Sequence, residues 1–477
     1  MTLREEIMAE ELRFTPSFKP TARLCGISIR NFKNVVNGQL SFINTKKNYR
    51  ASIVGLYGQN GSGKTALIES LSVLKHLLCG IPLPKRFADC INVDSDTARI
   101  SYDILISDDS TKEEFCRVTY EAEIARRETS EGSEGPEASP CAVARESVKY
   151  SLAGEDGKRT PMRVLADTGL GDVFGPKSRY DEITGRNRKI RTDLIVAKKL
   201  TEVTGRSFLF SGEFSRTVAG NCPDRNIGMI FHSLSVYGRR QLFIIDSAIS
   251  GRISLNALPL IIGDGEHGSV SVSLNDGGVI PDSLMDTVRR VVKNMNLVLP
   301  QVVPGLEIGI VELGSELLYD GKPGTKIQLV SKKAGREISL RYESEGIKKI
   351  IAITQLLIAV YNDDSITVCI DELDAGVYEY LLGEILRIIS EKGRGQLIFT
   401  SHNLRPLETL DTGFVAFTTT NPENRYMRIK GSGQKNLRDS YYRDIVLGNG
   451  GDAVYEPTHN AEIALAFREA GEIYDFT

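Results

Sequence analysis

The residues whose types and spacing can do chemistry fall in two stretches. The first, Gly58-Gln59-Asn60-Gly61-Ser62-Gly63-Lys64-Thr65, fits the pattern GxxxxGK[ST], which cradles phosphates. It follows a short apolar run, ASIVGLY, and precedes ALIESLSVLKHLL, in which Leu67, Leu71, Leu74 and Leu78 recur at helical spacing. Strand, glycine-rich loop and helix in that order close backbone N–H groups round an anion at the positive end of the helix. Lys64 is expected to reach the β- and γ-phosphates, with the Thr65 hydroxyl on Mg²⁺. A loop of this kind with no anion leaves its amides unpaired. Nucleotide binding is the expectation.

The second stretch begins with the apolar run Ile366-Thr367-Val368-Cys369-Ile370, which ends in Asp371-Glu372. Carboxylates at the C-terminal end of a buried parallel strand stand where α/β sheets place their ligand chemistry. There Asp371 would hold Mg²⁺ through water and Glu372 would polarise an attacking water. The competing reading is an acidic helix start. Leu397 to Thr400 then leads into Ser401-His402-Asn403. His402 is placed to hydrogen-bond a γ-phosphate, although a loop histidine taken alone is more often simply satisfied by its neighbours.

The elements that must position these residues follow from the pattern. Arg23–Lys33 and Gln39–Ile43 read as paired strands ahead of the phosphate loop. From 97 to 165, four alternating runs predict an antiparallel β-lobe, interrupted by the polar stretch 128–140, read as a mobile loop tip. Helical segments are expected near 191–204, 224–240 and 281–298, with strands at 242–245, 305–313, 325–332 and 337–342. Residues 1–20 read as a charged helix and linker. No sustained heptad repeat occurs, which excludes a long coiled coil.

Composition excludes several classes. The 477 residues carry a net charge of −3, so no global basic excess marks a nucleic-acid binder. Seven cysteines are scattered without a CxxC pair, which argues against zinc or a disulfide framework and fits a reducing cytosol. There is no signal-peptide pattern and no run of 18 apolar residues, so a cytoplasmic chain outside the membrane is expected.

Taken together, the motifs resemble the ATP-binding-cassette (ABC) ATPase head in its SMC/RecF-like branch. The family's I-x-N-F-K/R strand stands here as Ile29-Arg30-Asn31-Phe32-Lys33-Asn34, its Walker A as Gly58–Thr65, and its Walker B as Ile366–Asp371 with Glu372 as the catalytic base. The D-loop matches Leu373-Asp374-Ala375-Gly376, and the switch histidine matches His402. A degenerate signature, Ser344-Glu345-Gly346, precedes an apolar helix. The resemblance implies an α/β head with a mixed central sheet, an antiparallel β-lobe and an inserted helical lobe.

It also implies ATP and Mg²⁺ as ligands and ATP hydrolysis as the activity. Asp371, Glu372 and His402 would be catalytic; Lys33, Asn34, Gly58, Asn60, Gly61, Ser62, Gly63, Lys64 and Thr65 would bind ATP, with Thr65 and Asp371 on the metal. Ser344, Glu345, Gly346 and Asp374 would act on the ATP of a second copy, sandwiched between two heads. The family's lid glutamine has no counterpart between Gln59 and Gln241, and the polar turn Ser211-Gly212-Glu213 is the candidate replacement.

Within the branch, the ESEG-type signature, the DELDAG string and the absent coiled coil resemble the OLD-like and AbiLii-like ATPases of anti-phage systems such as PARIS and Septu. The expected organisation is 1–95 and 305–477 for the head, 96–185 for a β-rich arm and 186–304 for a helical lobe. Past His402 the chain is too short for a nuclease domain of the OLD type. The expected role is therefore a sensor or scaffold that restrains a separate effector, a nuclease, until a phage-derived trigger arrives. The alternative is a RecF-like repair or replication ATPase that binds DNA through Arg186, Arg188, Lys189, Arg191, Lys198, Lys199, Arg289, Arg290 and Lys293; such runs are more often solvated faces.

Overall fold

The computed structural model describes residues 19–44, 51–108, 111–127, 139–154, 158–245, 257–261, 269–273, 276–318, 321–333, 335–428, 437–447 and 452–472. The expected N-terminal helix and most of the 128–140 loop lie outside them. The fold is α/β, with sheets of mixed orientation.

Its centre is a six-stranded sheet in the order β18-β17-β3-β16-β15-β8. The strands are β3 (Ser52–Tyr57), β8 (Leu242–Ile245), β15 (Thr367–Ile370), β16 (Gln396–Thr400), β17 (Val415–Thr418) and β18 (Tyr426–Met427). All pairings are parallel except that of β18 with β17. Both faces of this sheet are covered, as a parallel sheet requires. Along β3, Ile53 and Tyr57 point into one core while Val54 and Leu56 point into the other.

The first core joins the central sheet to the phosphate-loop helix α1 (Lys64–Leu78) and to a second six-stranded sheet. That sheet runs β2-β1-β4-β5-β6-β7 and is antiparallel throughout. Its strands are β1 (Pro20–Phe32), β2 (Val35–Ser41), β4 (Thr97–Asp108), β5 (Glu114–Arg126), β6 (Cys141–Leu152) and β7 (Arg163–Asp167). The four strands expected as a lobe thus extend the N-terminal pair β1–β2. Alternation explains their faces: Ala98, Ile100, Tyr102, Ile104 and Ile106 of β4 are all buried.

Helices α2 (Lys177–Thr184), α3 (Arg188–Thr204), α4 (Gly212–Asn221) and α5 (Arg225–Val236) complete this side. Two of them, α2 and α4, were not read from the pattern. In α2 the reason is plain: KSRYDEIT buries only Ile183 and Thr184.

One buried carboxylate ties the helices to the sheet. Glu146 on β6 accepts hydrogen bonds from the Tyr120 hydroxyl (2.8 Å), the Ser207 hydroxyl (2.5 Å) and the Phe208 N–H (2.7 Å). Burial pushes its pKa up, against the pull of those donors. Glu146→Gln turns an amide toward groups that donate, so it should cost about 1–3 kcal/mol. A melting midpoint equal to wild type in calorimetry would show that the network contributes nothing.

The second core lies on the opposite face. There a hairpin, β9 (Ala257–Ile261) with β10 (Ser269–Ser273), precedes β11 (Gly278–Pro281), β12 (Glu307–Leu317), β13 (Pro323–Lys333) and β14 (Arg336–Ser339). The last four form an antiparallel sheet centred on β13. Against them and the central sheet pack α6 (Met285–Val302), α7 (Glu345–Asn362) and α8 (Glu379–Lys392). Two further helices, α9 (Leu437–Leu447) and α10 (Asn460–Glu472), end the described chain. Among the described residues no helix exceeds 18 residues, and none is long and apolar enough to cross a membrane.

Candidate nucleotide site

The five parallel strands deliver their C-terminal ends to one edge. In register, Ile245 stands beside Ile370, Ile370 beside Phe399, Thr400 beside Leu56, and Phe417 beside Tyr57. The next residues on the chain are Asp371, Ser401-His402, Gly58 and Thr418. Motifs more than 300 residues apart in sequence therefore share one rim, where open α/β sheets bind ligands.

On this rim the phosphate loop is built by backbone that only glycine tolerates. Gly58, Gly61 and Gly63 have φ of 156°, 76° and 93°. At Gly58 a Cβ would also fall 1.7 Å from the Thr418 hydroxyl. The loop is braced from outside: Ser62 Oγ lies 2.5 Å from Thr418 Oγ1, the Tyr426 hydroxyl donates to Gly63 O (3.0 Å), and Asn34 Nδ2 donates to Gly61 O. Arg425 clamps the same region through Asn34 O (2.6 Å) and Thr419 O (2.7 Å). Asn60 and Gly61 face outward, exposed, while Ser62, Gly63 and Lys64 are buried and Thr65 half-buried at the start of α1.

Lys64 Nζ donates to Gly58 O (2.7 Å) and Gln59 O (2.9 Å). Burial lowers its pKa, opposed by the charges of Asp371, Glu372 and Asp374. The two chemical stretches of the sequence thus meet at this ammonium.

Asp371 is 1% exposed. One carboxylate oxygen accepts from the Thr400 hydroxyl at 2.5 Å; the other is buried with no hydrogen-bond partner. A lone buried oxygen beside a phosphate loop fits a cation ligand or its water. Glu372 is exposed, and its backbone is left-handed at φ 49°, an uncommon state for a residue with a Cβ. Three hydrogen bonds hold it there. Its N–H donates to Thr400 Oγ1 (2.8 Å), and its carbonyl accepts from the Ala375 N–H (3.0 Å) and from Lys349 Nζ (3.3 Å).

Ser344 caps α7, its hydroxyl accepting from Ile347 N–H at 3.4 Å, and it is exposed together with Glu345. Gly346 packs on the D-loop so closely that a Cβ would lie 2.3 Å from Gly376 O. The serine is thus tied to the end of β15, while the phosphate loop leaves β3. With β16 between them, the two ends stand two strand spacings apart, about 10 Å. Farther along α7, buried Lys349 has a pKa lowered by burial and opposed by Asp374, Glu372 and Asp371.

Lys33, expected on the nucleotide, pairs its ammonium with buried Glu69 of α1, because a left-handed turn at φ 53° aims it at the helix. Asp374, expected on a second copy's ATP, accepts from the N–H groups of His402 (3.0 Å) and Asn403 (2.9 Å) of its own chain. It thereby fixes the loop that presents the exposed His402.

The turn Ser211-Gly212-Glu213 is not at the rim. Ser211 starts α4, and the adjoining Phe210 carbonyl lies against Gly80, just past the C-terminal end of α1. That is one 15-residue helix, about 22 Å, from the phosphate loop. Thr400, Thr418, Arg425, Tyr426 and Lys349 were missed. A hydroxyl at the end of a central strand was the one available signal, for Thr400 and Thr418.

Residues 271–408 match a family model described as "AAA domain, putative AbiEii toxin, Type IV TA system". The matched segment contains Ser344, Asp371, Glu372, Asp374 and His402, and the phosphate loop completes the site from outside it. The chain is an ATPase.

No curated protein sequence matches it. Among solved structures, an SMC head bound to the C-terminal winged-helix domain of ScpA is 12% identical, with 85% of this chain and 98% of that one covered at a TM-score of 0.43. The SMC head domain from Thermotoga maritima is 13% identical, covering 86% and 100% at 0.36. The recombination mediator RecF with ATP is 12% identical, covering 80% and 94% at 0.33.

Proposed function

We propose that this ATPase is an SMC/RecF-like ABC head that works as a two-state sensor or scaffold in a bacterial anti-phage, abortive-infection system, in the cytoplasm. The observation that carries the two-state reading is that the phosphate loop leaves β3 while Ser344, exposed at the start of α7, adjoins Gly346 packed on Gly376 past the end of β15, with β16 between the two strands. Each chain then holds two half-sites, and two chains complete two sites by placing each phosphate loop opposite the other's Ser344. ATP bridges the pair and hydrolysis removes the bridge. The family description, with its AbiEii toxin and type IV toxin–antitoxin system, supports the defence role.

In this reading the residues divide the work. Lys64 and the loop amides hold the phosphates and neutralise charge that builds up on them. Glu372 accepts a proton from the attacking water, and His402 donates to the γ-phosphate. Ser344 and Gly346 offer the start of α7 as an anion site to the partner's ATP. Thr65 and the unpartnered oxygen of Asp371 would hold Mg²⁺, which when bound would shield phosphate charge. The expected head (1–95 and 305–477) shares its central sheet with β8 of the expected lobe (186–304); the arm (96–185) and the rest of that lobe are the surfaces we assign to a trigger and to a separate effector, a nuclease.

The RecF-like alternative rests on basic positions, several of which are already engaged. Arg191 pairs with Asp181, Lys198 donates to Thr168 O and Asp172 O, and Arg289 pairs with Asp286 and Glu312. The deciding experiment is a pull-down of tagged Glu372→Gln protein from its native host during phage challenge. A stoichiometric nuclease, with loss of phage protection in a Lys64→Ala strain, is the expected result. Chromosomal DNA with repair proteins, and unchanged protection, would move the assignment to the alternative.

A further inference from the structure

Every residue of α10 whose side chain is described is exposed. Phe467 is 77% and Ile463 43% exposed, yet Ile463, Ala466, Phe467 and Ala470 recur at i, i+3, i+4 and i+7 and form one apolar stripe. A 13-residue helix is marginal alone in water, so such a stripe needs a counterpart.

The chain itself carries a matching surface. Between α6, α7 and α8 runs an apolar groove of about 710 Å³, lined among others by Leu297, Val298, Leu357, Ile385 and Ile388. Leu297 is 71% and Ile388 47% exposed. The groove continues, through Val302, Ile350 and Leu381, into a hollow beside Ser344, Gly346 and Gly376. Its mouth is therefore the signature end of α7.

We infer that α10 of one copy lies in this groove on a second copy, as an exchanged arm that locks the ATP-bridged pair. The inference rests on the pairing proposed above, and three observations carry it. The root of the arm is at the phosphate loop: Glu456 N–H donates to Gln59 Oε1 (2.9 Å), and Gln59 Nε2 donates to Glu456 O (3.4 Å). Four residues later α10 begins, a reach of at most about 14 Å. In the pair each phosphate loop faces the partner's Ser344, so the root arrives at the mouth of the partner's groove.

Length agrees. At 1.5 Å per residue, α10 spans about 20 Å, against about 27 Å for α7, which walls the groove.

Charge agrees too. Entering by its N-terminus, α10 carries Glu469 toward the far end of the groove, where α6 exposes Arg290 and Lys293. Four residues on from each, Asn294 and Leu297 continue that face of α6 into the groove.

Cross-linking between differently tagged full-length chains tests this. One pool carries Phe467→Cys and the other Leu297→Cys, both with Glu372→Gln, and wild-type cysteines serve as the background control. Mild oxidation with ATP should give a disulfide-linked species bearing both tags, at least tenfold above the same mixture without ATP. Light scattering on the same samples separates the failures. An ATP-dependent dimer without the two-tag species overturns the exchange and leaves the pairing intact. Absence of any ATP-dependent dimer overturns the pairing and the exchange with it.

Phe467→Asp supplies a second reading, since an exposed position should not disturb folding. Dimerisation with ATP should weaken at least tenfold while ATP binding by the monomer is unchanged. A dimer of unaltered affinity overturns the exchange.

Discussion

Glu372→Gln protein is expected to bind ATP as wild type does and to release phosphate at least about a hundredfold more slowly, the usual scale for losing a general base. The reason is local. What holds residue 372 in place is backbone: its N–H on Thr400 Oγ1 and its carbonyl under the Ala375 N–H and Lys349 Nζ. A glutamine keeps all three contacts and the side-chain shape, and loses only the ability to take a proton. Lys64, proposed to hold the phosphates, loses one of the carboxylates that offset its burial, but not its contacts with the loop. The expected signature is thus a fall in kcat with little change in nucleotide affinity, and an ATP-bound dimer that persists in light scattering. Single-turnover phosphate release at the wild-type rate would remove Glu372 from the role of base.

The left-handed backbone at Glu372 is a small store of strain at the residue proposed as the base. Beyond the local Ala375 N–H, two restraints come from different places. Thr400 ends the neighbouring strand β16, and Lys349 belongs to α7, whose first turn offers Ser344 and Gly346 outward. In the proposed pair, a partner's ATP seated on that turn biases the position of α7, and Lys349 carries the bias to the Glu372 carbonyl. The same helix walls the groove inferred to receive the partner's arm. Engagement of a second copy and placement of the base are then aspects of one packing arrangement.

Much of this site was legible in sequence because phosphate chemistry needs contiguous backbone. Gly58–Thr65 is one loop, Asp371-Glu372 one strand end, and Ser401-His402 another, so each stands as a word in the chain. Its supports were not legible, because they arise only when strands are laid side by side. Thr418 meets Ser62 across 356 positions, and Tyr426 meets Gly63 across 363. Lys349 looks like any lysine of an amphipathic helix until α7 is packed on β15.

The fold divides in the same way. Alternation in β4 and β5 marked the strands, but nothing in their pattern names β1 as the partner of β4. Lys33 is similar: its left-handed backbone and its pairing with Glu69 are not written in the local sequence.

Asp374→Ala is expected to lower hydrolysis by at least about tenfold, with Asp374→Asn recovering much of the loss. One oxygen of Asp374 accepts two backbone N–H groups, those of His402 and Asn403, and so sets the loop at the end of β16. Alanine leaves both amides without that acceptor; the exposed His402 N–H turns to water and the Asn403 N–H keeps only Ser401 Oγ (3.0 Å). The loop then reorients and His402 leaves the rim. Asparagine retains a carbonyl oxygen at the same reach and can accept both N–H groups, without the charge that strengthens them. A role in holding the loop therefore predicts the order wild type, Asn, Ala in kcat, with ATP affinity nearly constant across the three. A role on the second copy's ATP predicts something else: dimer affinity would fall while the chemical step within already formed dimers stayed at the wild-type rate. Measuring phosphate release from preassembled, ATP-loaded dimers separates the two. An unchanged rate in Asp374→Ala dimers would return Asp374 to the partner's site.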